Sequence, residues 1–103
     1  MPRRSRQSTP ELNLRAKFAA STYSSSDLAT EVELSLDNFL RPYLHRNQVR
    51  LRIVVGKGTR SQVLIAGKNP LRHYTELYLQ KMNLPFREGR EWEGQAGVLI
   101  VEW

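Results

Sequence analysis

In Val49-Arg50-Leu51-Arg52-Ile53-Val54-Val55-Gly56-Lys57-Gly58-Thr59-Arg60 a strand runs into a glycine-rich, basic turn. Val49, Leu51, Ile53 and Val55 alternate onto one face, the period of two that marks a strand. Arg50 and Arg52 lie between them on the other face. Val54 then makes Ile53–Val55 continuously apolar, which suits a strand covered on both sides. Gly56 and Gly58 admit backbone angles that other residues disfavour, and they leave main-chain N–H groups of the turn open to a ligand. Lys57 and Arg60 add two cations. A concave set of backbone donors flanked by cations is what an anion such as phosphate requires. The same residues also suit a plain strand-to-loop turn with solvated cations. The Walker A spacing G-x-x-x-x-G-K-[ST] is absent.

Helical periods flank this strand on both sides. Before it, Leu28, Val32, Leu36, Phe39, Leu40, Tyr43 and Leu44 make one face of a helix from Asp27 to about Leu44. Ser24 or Ser26 suits its cap and Asp27 its positive end, while Pro42 should loosen its last turn. After the strand, Asn69-Pro70 reads as the cap and first turn of a second helix. Leu71, Tyr74, Leu77, Tyr78 and Met82 form its inner face, and Asn83-Leu84-Pro85 ends it. Residues 61–68 read as a loop over the core in preference to a short strand. Leu12 and Leu14 share a face in a short first strand over 11–15, Phe86–Glu88 begins a third, and Ala96–Trp103 reads as the last. The order β-α-β-α-β-β predicts an α/β two-layer sandwich, with a mixed, mainly parallel four-stranded sheet and two helices.

Composition narrows the class of protein. A chain of 103 residues is one domain by default, and folding at this size buries about two-thirds of the surface. Residues 1–10 hold Arg3, Arg4 and Arg6 with little apolar content, and are expected to form a disordered basic arm before a single domain over 11–103. Residues 1–26 also have the Arg- and Ser-rich make-up of an organelle transit peptide, although Leu12 onwards reads as part of the fold. No apolar run approaches the roughly 20 residues of a membrane span, so no membrane partner is expected. The absence of cysteine excludes disulfides and thiolate metal sites and fits a reducing compartment, so the cytoplasm is the expected location. Sixteen Lys and Arg against ten Asp and Glu leave a net charge of +6, with a pI of about 10.2. A domain this basic meets polyanions through phosphate attraction and counterion release. Arginine in particular suits phosphate geometry.

Arg52-Ile53-Val54-Val55-Gly56-Lys57-Gly58-Thr59-Arg60-Ser61 resembles the strand and H-G-K-G turn of the Smr (small MutS-related) domain family. Gly97-Val98-Leu99-Ile100-Val101 is similar to that family's closing strand. The helix with Leu36-Asp37-Asn38-Phe39-Leu40 lies where the family has its first. The resemblance covers about 11–103. It implies an α/β sandwich similar to the C-terminal domain of translation initiation factor three. It also implies nucleic-acid binding and, in many members, endonuclease or nicking activity on DNA or RNA.

The departures bear on chemistry. The family's L-D-L-H-G motif falls on Leu12-Asn13-Leu14-Arg15-Ala16, and the histidine of H-G-K-G falls on Val55. Amide, guanidinium and alkyl groups do not replace a carboxylate or imidazole as proton carriers near neutral pH. The expected function is therefore nucleic-acid binding through the phosphate backbone at Gly56, Lys57, Gly58, Thr59 and Arg60, with Arg15 and Lys17 adding charge. No catalytic residue is assigned. The alternatives are an endonuclease on DNA or RNA with rewired catalytic groups, and a protein-interaction domain. No cofactor is implied. His45 and His73 lie outside the family motifs, and no spacing such as H-E-x-x-H marks a metal site. Glu88, Glu91 and Glu93 read as a solvated loop. Trp92 and Trp103 are the candidates for stacking on bases, with Trp92 in a charged loop and Trp103 at a sheet edge.

Overall fold

Alternation makes Arg50–Val54 a strand because each second side chain finds an apolar partner: Leu51 and Ile53 are fully buried, while Arg50 and Arg52 reach outward. The computed structural model describes residues 9–18, 25–56, 69–90, 92 and 97–103. In order they form β1 (Glu11–Asn13), α1 (Leu14–Lys17), α2 (Ser25–Leu40), a 3-10 turn (Arg41–Tyr43), β2 (Arg50–Val54), α3 (Pro70–Lys81), β3 (Phe86–Glu88) and β4 (Val98–Glu102). The basic arm expected over 1–10 falls outside the described residues up to position 8, as does the loop expected over 61–68. Among the described residues no helix is long and apolar enough to cross a membrane.

The strands form one mixed four-stranded sheet in the order β1-β2-β4-β3. β1 pairs with β2 in parallel, Leu12 beside Ile53. β4 is antiparallel to β2 on one side and to β3 on the other. The α/β sandwich is therefore as expected, but the sheet is not mainly parallel. Strand–helix alternation does give β1, β2 and β3 one direction. β4 is antiparallel to β3, the strand before it, and fills the position between β2 and β3.

The helices cover one face of the sheet. Val32, Leu36 and Leu40 from α2 and Leu71, Tyr78 and Leu79 from α3 close over Leu51, Ile53, Val55, Leu99 and Val101. The expected face of α2 is the one that packs, and the helix gives way to the 3-10 turn at Pro42. Arg41 pairs with Asp37 one turn back. On α3 the inner face is rotated from expectation: Leu77 is 49% exposed, while Thr75 and Leu79 are fully buried. Thr75 is tolerated there because its hydroxyl donates to Leu71 O at 2.6 Å. α3 ends as its sequence implies. Leu84 N–H donates to Leu79 O at 2.9 Å and Asn83 N–H to Gln80 O at 3.1 Å, with Asn83 at the left-handed φ of 57°.

β1 is shorter than expected. The strand stops at Asn13, whose Oδ1 accepts from Ala16 N–H at 2.9 Å and so caps α1, a short helix that was not expected, and the chain turns at Leu14. The face of the sheet away from the helices carries a lattice of ion pairs. Arg52 Nη1 lies 3.2 Å from Glu11 Oε1, and Glu102 accepts from Arg50 Nε at 2.6 Å and from Arg87 Nε at 3.3 Å.

The Arg50 hydrogen bond, with Arg87 behind it and burial opposing, holds the Glu102 carboxyl below its ordinary value. Such a carboxylate stabilises the fold above its unfolded value, and that contribution is lost as pH falls through the lowered folded value. Stability is expected to fall on acidification below about pH 4.5, the ordinary value. Glu102→Gln is expected to make that fall shallower in urea titrations run across pH, and an acid limb as steep as the parent's would remove Glu102 from it.

Candidate functional site

β1 and β2 run side by side and end together, with Asn13 opposite Val54. The chain leaving β2 is therefore built against α1, which continues from β1. Gly56 is buried and takes φ +80°, a conformation that side-chain-bearing residues rarely adopt. Its N–H and that of Val55 both donate to Gly97 O, at 3.0 and 2.9 Å. Its carbonyl accepts from Asn69 Nδ2 at 2.8 Å. The Gly56 N–H, expected to be open to a ligand, is thus spent on holding β2 to the start of β4.

Asn69 is 4% exposed and works at both ends of its amide. While Nδ2 holds Gly56, Oδ1 accepts from Arg72 N–H at 2.9 Å and caps α3. Its role as a cap was legible from Asn69-Pro70, whereas its bond to Gly56 had no local signal.

Arg15 lies across the same glycine. A Cβ on Gly56 would stand 3.0 Å from Arg15 Cδ and 3.3 Å from Cγ, so the arginine stem would have to give way slightly to any side chain there. Arg15 and Lys17 are both exposed on α1. The fold thus joins Arg15 to Gly56, two of the residues expected at the site. Lys57, Gly58, Thr59 and Arg60 continue from Gly56 but lie outside the described residues.

A second arginine near α3's start does a different job. Arg72 Nε lies 2.8 Å from Glu76 Oε2, and Nη1 lies 2.8 Å from Glu88 Oε2. Burial disfavours its charge, yet the hydrogen bonds of Glu76 and Glu88 outweigh burial and hold its pKa above the ordinary value. Arg72 is thereby a clamp between α3 and β3. No motif singles it out in the sequence; Arg72 and Glu76 at helical spacing were the available signal.

Trp92 is 76% exposed, with the Arg90 guanidinium 5.7 Å from its ring centroid. His73 stands in the first turn of α3 with its ring tilted against Tyr74, and His45 is exposed beyond the 3-10 turn. Glu91 and Glu93 lie outside the described residues. Among the described residues no three His, Asp or Glu are grouped to hold a metal ion.

The Smr domain family matches this chain over residues 28–103. The chain belongs to the Smr domain family. That match spans α2 to the final strand and includes Gly56, Asn69 and Gly97; Asn13 and Arg15 precede it. Smr domains form a nucleic-acid-binding and endonuclease family. No curated protein and no solved structure matches the chain, so likeness to the translation initiation factor three domain rests on the family resemblance alone.

Asn69→Ala is expected to cost about 2–3 kcal/mol in urea unfolding, roughly 1 for the cap and the rest for the buried bond to Gly56. Asn69→Ser keeps a capping oxygen without the amide donor and should recover about 1 kcal/mol of that. Wild-type stability in Asn69→Ser would mean that the Gly56 bond contributes nothing. Gly56→Ala is expected to cost about 1–2 kcal/mol from its positive φ alone. That loss should persist in an Arg15→Ala background, where the steric conflict is gone.

Proposed function

We propose that this Smr domain binds nucleic acid through its phosphate backbone at the Gly56 end of the sheet, without the acid–base chemistry of a nuclease. The observation that carries this is Arg15 laid over Gly56. A cation thereby stands over Gly56, which Lys57, Gly58, Thr59 and Arg60 follow in sequence, and it comes from the position where the family motif has a histidine. Arginine is always charged and forks onto phosphate oxygens, but it does not exchange protons near neutral pH. Asn13 uses its side-chain oxygen as a cap, and Val55 is 2% exposed and alkyl, so neither offers a proton carrier. Lys17 on α1 adds to the same positive field, and a chain with net charge +6 fits a polyanionic partner. The absence of cysteine suits a cytoplasmic setting.

Membership of a family with endonucleases supports a second reading, in which rewired groups cleave DNA or RNA. Incubation of pure protein with supercoiled DNA and structured RNA, with magnesium or manganese, separates the two. Intact substrate is expected.

Binding is read by fluorescence anisotropy of labelled duplex DNA and structured RNA at low and physiological salt. Affinity should fall steeply with salt. Arg15→Ala and Lys57→Ala/Arg60→Ala should each weaken binding, and each lost phosphate contact should lower the salt slope by about 1. Unchanged affinity in the triple variant would overturn the site.

A further inference from the structure

The opposite end of the sheet carries a cleft that phosphate binding at Gly56 leaves unused. There Gln48, at the left-handed φ of 58°, turns the chain into β2. Val49 N–H donates to Trp103 O at 2.8 Å, and Trp103 N–H donates back to Val49 O at 3.0 Å. The Trp103 indole N–H donates to Arg46 O at 2.9 Å, which fixes the ring. The Arg46 guanidinium stands 5.4 Å from the centroid of Tyr43. Between these parts is an open cleft of about 830 Å3, lined by Tyr43, Arg46, Val49, Arg50, Glu102 and Trp103 among others.

Charge selects the ligand that fits there. Arg46 and Arg50 are exposed cations. Glu102 is the one carboxylate among the described lining residues, and Arg50 and Arg87 already share it. The field left over is positive, so the cleft suits an anion. The chain also enters the described structure at this rim, since Thr9 and Pro10 line it and Pro10 O accepts from Arg52 N–H at 2.9 Å. Arg3, Arg4 and Arg6 precede Thr9 in sequence. A fixed indole beside an arginine is a pair suited to a base and its phosphate, because every base has a face to stack and arginine forks onto phosphate oxygens.

We propose that this cleft is a second nucleic-acid site, taking an unpaired base of a single strand against Trp103 and its phosphate on Arg46. The proposal rests on the reading that the partner is nucleic acid, but its residues stand at the far end of the five-residue β2 from Gly56. A duplex keeps its bases stacked inward and has none to offer, so the cleft discriminates single strands and frayed ends from continuous duplex. An acidic peptide would meet the same arginines without gaining from the indole.

The chain has two tryptophans, so Trp92→Phe leaves Trp103 as the sole tryptophan, excited at the red edge where tyrosine does not absorb. That variant is titrated with oligothymidylate, with a blunt duplex of equal length and with polyglutamate. Trp103 emission and the anisotropy of the labelled strand are read together. Oligothymidylate is expected to quench Trp103 saturably, and the duplex and polyglutamate are not. Arg46→Ala, at an exposed position, should weaken that affinity several-fold and lower its salt slope by about 1. Anisotropy that reports a bound single strand while Trp103 emission stays constant would overturn the cleft and leave the Gly56 site standing. So would an Arg46→Ala variant with unchanged affinity and slope. Quenching by polyglutamate equal to that by oligothymidylate would overturn base recognition. No anisotropy change with single strand, duplex or structured RNA at low salt would overturn both sites.

Discussion

The buried amide of Asn69 holds the Gly56 end of the sheet together. A single planar group donates to Gly56 O and accepts from Arg72 N–H, at 2.8 and 2.9 Å. An amide presents donor and acceptor at once, which a carboxylate or a hydroxyl of similar reach does not do in the same geometry. Because Gly56 is tied through its N–H to Gly97 as well, β2, β4 and α3 are pinned at one point. Arg15 closes the assembly from α1, its stem close enough that a Cβ on residue 56 would have to push it aside. The glycine is needed for its conformation.

Among the described residues, many of the arginines are paired with carboxylates and a few exposed cations are not. Arg41, Arg50, Arg52, Arg72 and Arg87 each face a carboxylate across a helix turn, a strand pair or a helix–sheet gap. Their charge is spent on joining elements. Arg15, Lys17 and Arg46 have no carboxylate partner among the described residues and stand at the two ends of the sheet. Under the proposed reading, these are the cations left to meet a polyanion.

Much of the fold was legible because its signals are local. Period two marked β2, helical spacing marked α2, Asn69-Pro70 marked the start of α3 and Asn83-Leu84-Pro85 its end. Local signals failed where a second choice was equally good. Leu77 has the right hydrophobicity for the core of α3, but Thr75 and Leu79 point inward, and a satisfied hydroxyl makes Thr75 acceptable there. Asn13 alternates like a strand residue, yet its side chain takes the cap. At the candidate site, Gly56 and the exposed cations Arg15 and Lys17 were legible from motif and composition. The loss of Gly56 N–H to Gly97 was not, since those residues meet only when β4 enters the sheet.

The sequence by itself determined the order of the four strands and the two long helices, the start and end of α3, and the basic character, but not the short α1 that follows β1. These come from backbone preference, hydrophobic period and side-chain chemistry, all carried within a few neighbouring residues. Only the tertiary structure decided that β4 lies between β2 and β3, that Arg15 rests on Gly56 and that Asn69 reaches back to it. It also decided that Arg72 is neutralised by Glu76 and Glu88. Each of these joins groups distant in the chain or opens a choice among several partners, and the choice is settled by which closed arrangement buries the apolar faces while satisfying the polar atoms trapped beneath them.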